Sequence, residues 1–106
     1  MFEGMATTFD VLAEPHRRRI LDELLAQPRS VGELVDRLRL SQPQTSKHLR
    51  VLREAGLVSV RREAQFRRYE LRPEPLLEIE AWLAPYRKLW AARLTALERH
   101  LDTMED

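Results

Sequence analysis

Two Ser-x-x-Glu/Gln signatures, Ser30-Val31-Gly32-Glu33 and Ser41-Gln42-Pro43-Gln44, stand eleven residues apart in this chain. In each, the serine hydroxyl can accept from the backbone N–H three residues on, while that residue's side chain reaches back to the serine N–H. Two donors that a helix start leaves open are thereby satisfied. A helix that begins after Ser30 must end before Ser41, so the spacing predicts two short helices with a sharp corner at Arg39-Leu40. At about 100° per residue the second helix puts Thr45, Leu49 and Leu52 on one face. Pro43, Gln44, Lys47, Arg50 and Glu54 fall on the opposite face, with Gln42 and Ser46 near the start or flank. Gly56 is placed to end this helix in the left-handed conformation that glycine adopts without strain.

Patterns on either side extend this frame. A first helix is expected from Thr7 or Thr8 through FDVLA, and Pro15 suits the first position of the next, where its missing N–H is not needed. That helix carries Ile20, Leu21, Leu24 and Leu25 on one stripe, with Pro28 just beyond its end. From Leu57 to Arg62 and Phe66 to Leu71 the period moves toward two, which predicts a hairpin with Val58, Val60, Tyr69 and Leu71 inward. Glu63-Ala64-Gln65 must turn it without the glycine such turns favour. A polar helix docked on a supporting helix, followed by a basic ribbon, has the architecture of a winged helix-turn-helix, a mainly α fold with a small β-hairpin.

Pro73 and Pro75 launch the last segment. Leu76, Leu77, Ile79, Trp82 and Leu83 make one amphipathic piece, and Pro85 is expected to break or kink the helix there. Beyond it Leu83, Trp90, Leu97 and Met104 recur every seven residues, with Leu94 and Leu101 interleaved. A seam of this kind needs a partner: the chain's own first helix, or a second copy. The length of the seam favours the second copy, giving a homodimer interface of Phe9, Leu12, Trp90, Leu94, Leu97 and Leu101. The 106 residues are read as one domain, with a DNA-binding core over 7–72 and C-terminal dimerisation helices over 73–106.

The net charge of +1 conceals a segregation. Residues 1–14 carry −3, residues 15–72 carry fourteen Lys/Arg against seven Asp/Glu for +7, and residues 73–106 carry −3. A polyanion would meet the middle of the chain. No apolar run approaches the roughly 18 residues of a membrane span, so no membrane partner is expected. Glu3 and Asp10 occupy the place of a signal peptide's basic segment, which reads as cytoplasmic. Zero cysteines removes disulfides, thiolate metal sites and cysteine nucleophiles. No serine, histidine and acid arrangement or glycine-rich phosphate loop suggests catalysis, and no cofactor is expected.

Four motifs resemble the ArsR-type (ArsR/SmtB-like) winged-helix repressors: Leu12-Ala-Glu-Pro-His-Arg-Arg-Arg-Ile-Leu21, Val31-Gly-Glu-Leu34, Leu40-Ser-Gln-Pro-Gln-Thr-Ser-Lys-His-Leu49 and Val51-Leu-Arg-Glu-Ala-Gly-Leu-Val58. The tail around Glu80-Ala-Trp-Leu-Ala-Pro-Tyr86 looks like a metal-independent branch. The resemblance implies a small cytoplasmic homodimer that binds operator DNA and releases it to an effector, here an unidentified small molecule. It places Gln42, Pro43, Ser46 and Lys47 at the major groove and the wing's arginines on the flanking backbone. Two departures stand out. Ala64 and Gln65 replace a common Gly-Arg at the wing tip, and the paired metal-sensing cysteines are absent.

The expected roles are as follows. Gln42, Gln44 and Lys47 read base edges, glutamine suiting adenine and lysine guanine. Arg50, Arg53, Arg61, Arg62, Arg67 and Arg68 hold phosphates, with Gln65 at the wing tip. His48 lies beside the core face, where packing and base reading are equally open. Arg17, Arg18 and Arg19 are an exposed helix face with one phosphate contact among them. Trp82 and Trp90 are hydrophobic anchors. No metal site is expected, because zinc needs three or four ligands and His16, His48 and His100 are far apart in sequence. The rival readings are a metal-responsive repressor of the same fold and a winged helix used only for protein interaction.

Overall fold

The computed structural model describes residues 7–104; Glu3 and the two ends of the expected domain lie outside the described residues. The elements are α1 (Thr8–Leu12), α2 (Pro15–Ala26), α3 (Val31–Leu38), α4 (Gln42–Glu54), β1 (Val58–Glu63), β2 (Phe66–Leu71) and α5 (Leu76–Met104).

Side chains start each of the first four helices. Thr7 and Asp10 close a capping box on α1, and the Glu14 carboxylate caps α2 with Pro15 at its first turn. Ser30 with Glu33 and Ser41 with Gln44 close the two boxes expected from the sequence. Between them Arg39 leaves α3 at φ 56° and ψ 41°, and its N–H donates to the Val35 carbonyl at 2.8 Å. That left-handed residue is the corner of the helix-turn-helix. Gly56, at φ 78°, follows the end of α4.

The core is a single cluster. Val11 of α1, Ile20, Leu21 and Leu24 of α2, Leu34 and Leu38 of α3, and Leu49 and Leu52 of α4 meet Leu57, Val58 and Tyr69. Leu25 does not join it. Placed a further 100° round α2 from Leu24, it is 74% exposed.

β1 and β2 form a two-stranded antiparallel sheet in which Val58 opposes Leu71, Val60 opposes Tyr69, Arg61 opposes Arg68 and Arg62 opposes Arg67. Val58 and Tyr69 are buried, and Val60 and Leu71 pack against the core. Glu63 pairs with Phe66, so the turn itself is only Ala64-Gln65, with Ala64 at φ 57°. Arg29 adds a short third edge. Its N–H donates to the Tyr69 carbonyl at 3.1 Å and its carbonyl accepts from the Tyr69 N–H at 2.8 Å. The buried Arg29 guanidinium bonds the Glu23 carbonyl at 3.0 Å, which makes this base a structural one.

The expected break at Pro85 is absent. α5 runs unbroken through it from Leu76 to Met104, a single helix in place of two. Proline removes one N–H and crowds the preceding turn, and Arg87, two residues on, reaches back over that turn. Its guanidinium donates to the Glu80 carboxylate at 3.0 Å and to the Glu80 carbonyl at 3.4 Å. At ~1.5 Å per residue the 29-residue helix is about 43 Å long. It gives the molecule its elongated extents of 65 × 38 × 22 Å. No residue of α5 is buried. α1 covers only its beginning, where Phe9 meets Trp82 edge-on at 5.9 Å. Among the described residues no helix is long and apolar enough to cross a membrane.

Candidate nucleic-acid interface

Because Thr45, Leu49 and Leu52 are anchored in the core, α4 turns its other side to solvent. Gln42, Pro43, Gln44, Ser46, Lys47, Arg50 and Arg53 are all exposed, and Pro43, Ser46, Lys47 and Arg50 line one shallow recess. None of Lys47, Arg50 or Arg53 has a carboxylate partner among the described residues. The glutamines differ. Gln42 is unconstrained, whereas the Gln44 side-chain oxygen accepts from the Ser41 N–H at 3.2 Å and its hydroxyl at 3.1 Å. Gln44 therefore presents its amide NH2 group but not the paired donor and acceptor of a free glutamine.

His48 is turned toward α2 and half-buried. Its ring stacks on His16 at 5.6 Å between centroids, with the planes 27° apart. Burial is the main influence holding the His48 pKa below its ordinary value; Arg17, His16 and Lys47 act the same way against the opposing pull of Glu14. Sequence separation was a poor guide here. Glu14, His16 and His48 bring three possible ligand atoms within 4.8 Å of one another, so the fold assembles the three-ligand set that the sequence inventory did not contain.

The wing arginines divide by face. Arg68 is held between Glu33 of α3 at 2.8 Å and Glu63 at 3.1 Å, and Arg61 faces Glu70 at 3.4 Å. The Glu33 carboxyl is held below its usual range first by the Ser30 backbone N–H and then by the Arg68 charge. Arg62 and Arg67, opposite each other across the strands, have no carboxylate partner among the described residues. Like charges directly opposed are unfavourable until an anion neutralises them. Gln65 sits exposed at the tip.

The α2 arginines serve the scaffold more than their exposure suggested. Arg18 donates to the Leu12 and Ala13 carbonyls at 2.6 and 3.3 Å, closing the end of α1. Arg19 donates to the Leu38 carbonyl at 3.3 Å, at the end of α3. Arginines reaching back to helix C-termini are a recognisable signal, but their targets lie in other helices and are invisible in sequence.

A polar helix face with no acid before Glu54, a corner fixed by left-handed Arg39 and an arginine-bearing hairpin define a winged helix-turn-helix of the kind that transcriptional regulators use. Comparison with known proteins agrees. Residues 14–60 match the family described as bacterial regulatory protein, arsR family. The transcriptional repressor SdpR of Bacillus subtilis is 32% identical over 79 residues, 74% of this chain and 88% of the repressor. The transcriptional activator HlyU of Vibrio cholerae is 52% identical over 54 residues, 51% of this chain and 50% of the activator. The crystal structure of a possible transcriptional regulator for arsenical resistance superposes with TM-score 0.68 at 36% identity, over 87% of this chain and 96% of that one. The chain belongs to the ArsR family of bacterial regulatory proteins, which are transcriptional regulators and not enzymes.

Proposed function

We propose that the chain acts in the cytoplasm as a homodimeric repressor that reads an inverted-repeat operator through α4. The observation that carries this is the α4 surface, where Gln42, Pro43, Ser46, Lys47 and Arg50 stand exposed with no acid before Glu54. Such a helix enters the major groove, where each base pair shows a distinct donor and acceptor pattern. Gln42 offers a full amide to adenine and Lys47 an ammonium to guanine O6/N7. Gln44, committed to its cap, adds at most its NH2 group, and Pro43 and Ser46 shape the approach.

Arg50, Arg53, Arg62 and Arg67 serve the phosphates, with Gln65 beside them at the wing tip. Arg68, tied to Glu33 and Glu63, holds the wing against α3, and Arg61 is tied to Glu70 within the wing; both share in the backbone contact only by giving up those pairs. His48 is assigned to the α2–α4 contact in preference to the bases.

Dimerisation follows from α5. Trp90, Leu94, Leu97 and Leu101 are exposed on a helix that projects beyond the core, and a two-fold partner would cover them together with Phe9 and Leu12. A two-fold dimer puts its reading helices about one helical turn apart, roughly 34 Å, and so requires an inverted repeat. Repression is the default, since a dimer on a promoter excludes polymerase and SdpR is named a repressor. An unidentified small molecule acting near Trp82 and Trp90 would complete the control.

Selection of random duplexes by the purified protein, followed by titration over a range of salt, tests the proposal. A palindromic consensus and an affinity that falls steeply with salt are expected. Weak binding that is indifferent to sequence and salt would leave a winged helix used for protein contact. Transcription from a promoter carrying the selected site separates repression from activation.

A further inference from the structure

The Glu14, His16 and His48 cluster lies outside the DNA-reading face and has no part in the activity proposed above. Two of its members come from the first turn of α2 and its cap, the third from α4. Their possible ligand atoms lie within 4.8 Å of one another. The Glu14 carboxylate is held in place, since its Oε1 accepts from the His16 N–H at 2.9 Å and lies 2.9 Å from His16 Nδ1. Its Oε2 has no hydrogen-bond partner among the described residues.

A second, separate observation concerns His48. Its Nδ1 is buried with no hydrogen-bond partner among the described residues, although buried polar atoms are nearly always satisfied. Two stacked imidazoles, one of them with an orphaned nitrogen and both beside a fixed carboxylate, make a weak packing arrangement but a suitable donor set.

Two imidazoles and one carboxylate suit borderline divalent ions of the first transition row. The set is too nitrogen-rich for calcium or magnesium and lacks the thiolates that softer ions require. In a tetrahedral zinc site ligand atoms at ~2.0–2.1 Å from the ion are about 3.3 Å apart. Binding therefore draws the three ligand atoms closer than their present spacing of up to 4.8 Å. Arg17 and Lys47 are the positive charges that bear on His48, and they set an upper limit on affinity by opposing a cation.

We propose that Glu14, His16 and His48 form a binding site for a divalent transition-metal ion such as Zn2+ or Ni2+, with water completing the coordination. The ion takes the place of the proton between His16 and Glu14, which leaves to solvent, and is held by one ring nitrogen of His48. It fastens the start of α2 to the reading helix one residue from Lys47.

Cobalt(II) is the probe, added to the full metal-free chain. One Co2+ per chain should bind with visible d–d absorption at low coordination number, and Zn2+ should displace it. His16→Gln, His48→Gln and Glu14→Gln should each weaken binding by about tenfold or more, since even outer-shell changes at such sites cost that much. His100→Gln should leave it unchanged. On the unmodified protein, Co2+ should shift or broaden the ring proton resonances of His16 and His48 and spare those of His100, a readout that does not depend on any variant folding. Absence of stoichiometric binding, binding unaffected by the three cluster substitutions, or perturbation of His100 alone would overturn the site. None of these readouts depends on DNA, so the outcome stands apart from the proposed repression.

Discussion

The helix-turn-helix with its wing and the long helix α5 distribute their side chains in opposite ways. From Val11 to Tyr69 most large aliphatics, Leu25 apart, are buried in one cluster and most charged groups face out, so this part is complete as a single body. Along α5 nothing is buried, and Trp90, Leu94, Leu97, Leu101 and Met104 face solvent. The first region is finished and offers charge; the second is unfinished and offers hydrocarbon. Surfaces of these two kinds seek different partners, a polyanion for one and a matching apolar helix for the other.

The sharpest break of that contrast is Leu94→Glu with Leu97→Glu. Both residues are more than half exposed in the protomer, at 60% and 52%, so the core should fold as before while the dimer is lost. Operator affinity should fall by roughly 100-fold or more, because two half-sites no longer act together. Sedimentation, thermal unfolding and operator titration decide it; an intact dimer with full affinity would place the interface elsewhere.

Lys47→Ala should cost about 1–3 kcal/mol of specific affinity and relax preference at one base step in each half-site, while dimerisation is untouched. Equal losses on operator and random DNA would reassign Lys47 to a phosphate. A smaller and less selective effect is expected from Arg62→Ala with Arg67→Ala. Binding to every sequence should weaken alike, and the salt slope should flatten by about 3.6 units, near 0.9 for each phosphate contact released across the two protomers. The companion pair Arg61→Ala with Arg68→Ala should flatten the slope less and loosen the wing instead, because carboxylates already engage both side chains. Identical slopes for the two pairs would dissolve the division between them.

The smallest effect belongs to Ala64→Gly at the wing turn. Alanine at φ 57° is strained by about 1–2 kcal/mol. Glycine relieves that strain but has more freedom to lose on folding, so a net gain of about 0.5 kcal/mol is expected. Chemical denaturation would show it, and operator affinity should not change.

What could be read from the sequence was whatever is decided over three or four residues. The boxes at Ser30 and Ser41 are contacts between residues three apart, and Gly56 ends a helix by its own backbone preference. The alternation that turns Val58 and Tyr69 inward is equally local. The placing of Lys47 and Arg50 on the outward face also follows from helical period alone.

Misread features depend on distant partners. Pro85 alone argues for a break, but the helix continues through it, with Arg87 reaching back over the site to Glu80. The arginines of 61–68 look equivalent in the chain, but Arg68 meets Glu33 thirty-five residues away. His16 and His48, dismissed for their separation, stack face to face because α2 and α4 cross there. Gln44 differs in that its partner is local: the capping box that fixes the helix start also occupies its oxygen.

That double employment of Gln44 restricts how such a regulator can change its target over evolutionary time. Completing the box takes Gln, Glu or, as Asp10 shows on α1, Asp, and either acid would turn a negative charge toward the DNA phosphates of the proposed complex. If α4 reads the operator as proposed, divergence toward a new site is freer at Gln42, Ser46 and Lys47 than at Gln44, whose oxygen is held by the cap. The vocabulary of sites within reach of a few mutations is smaller than the number of outward-facing positions on α4 suggests.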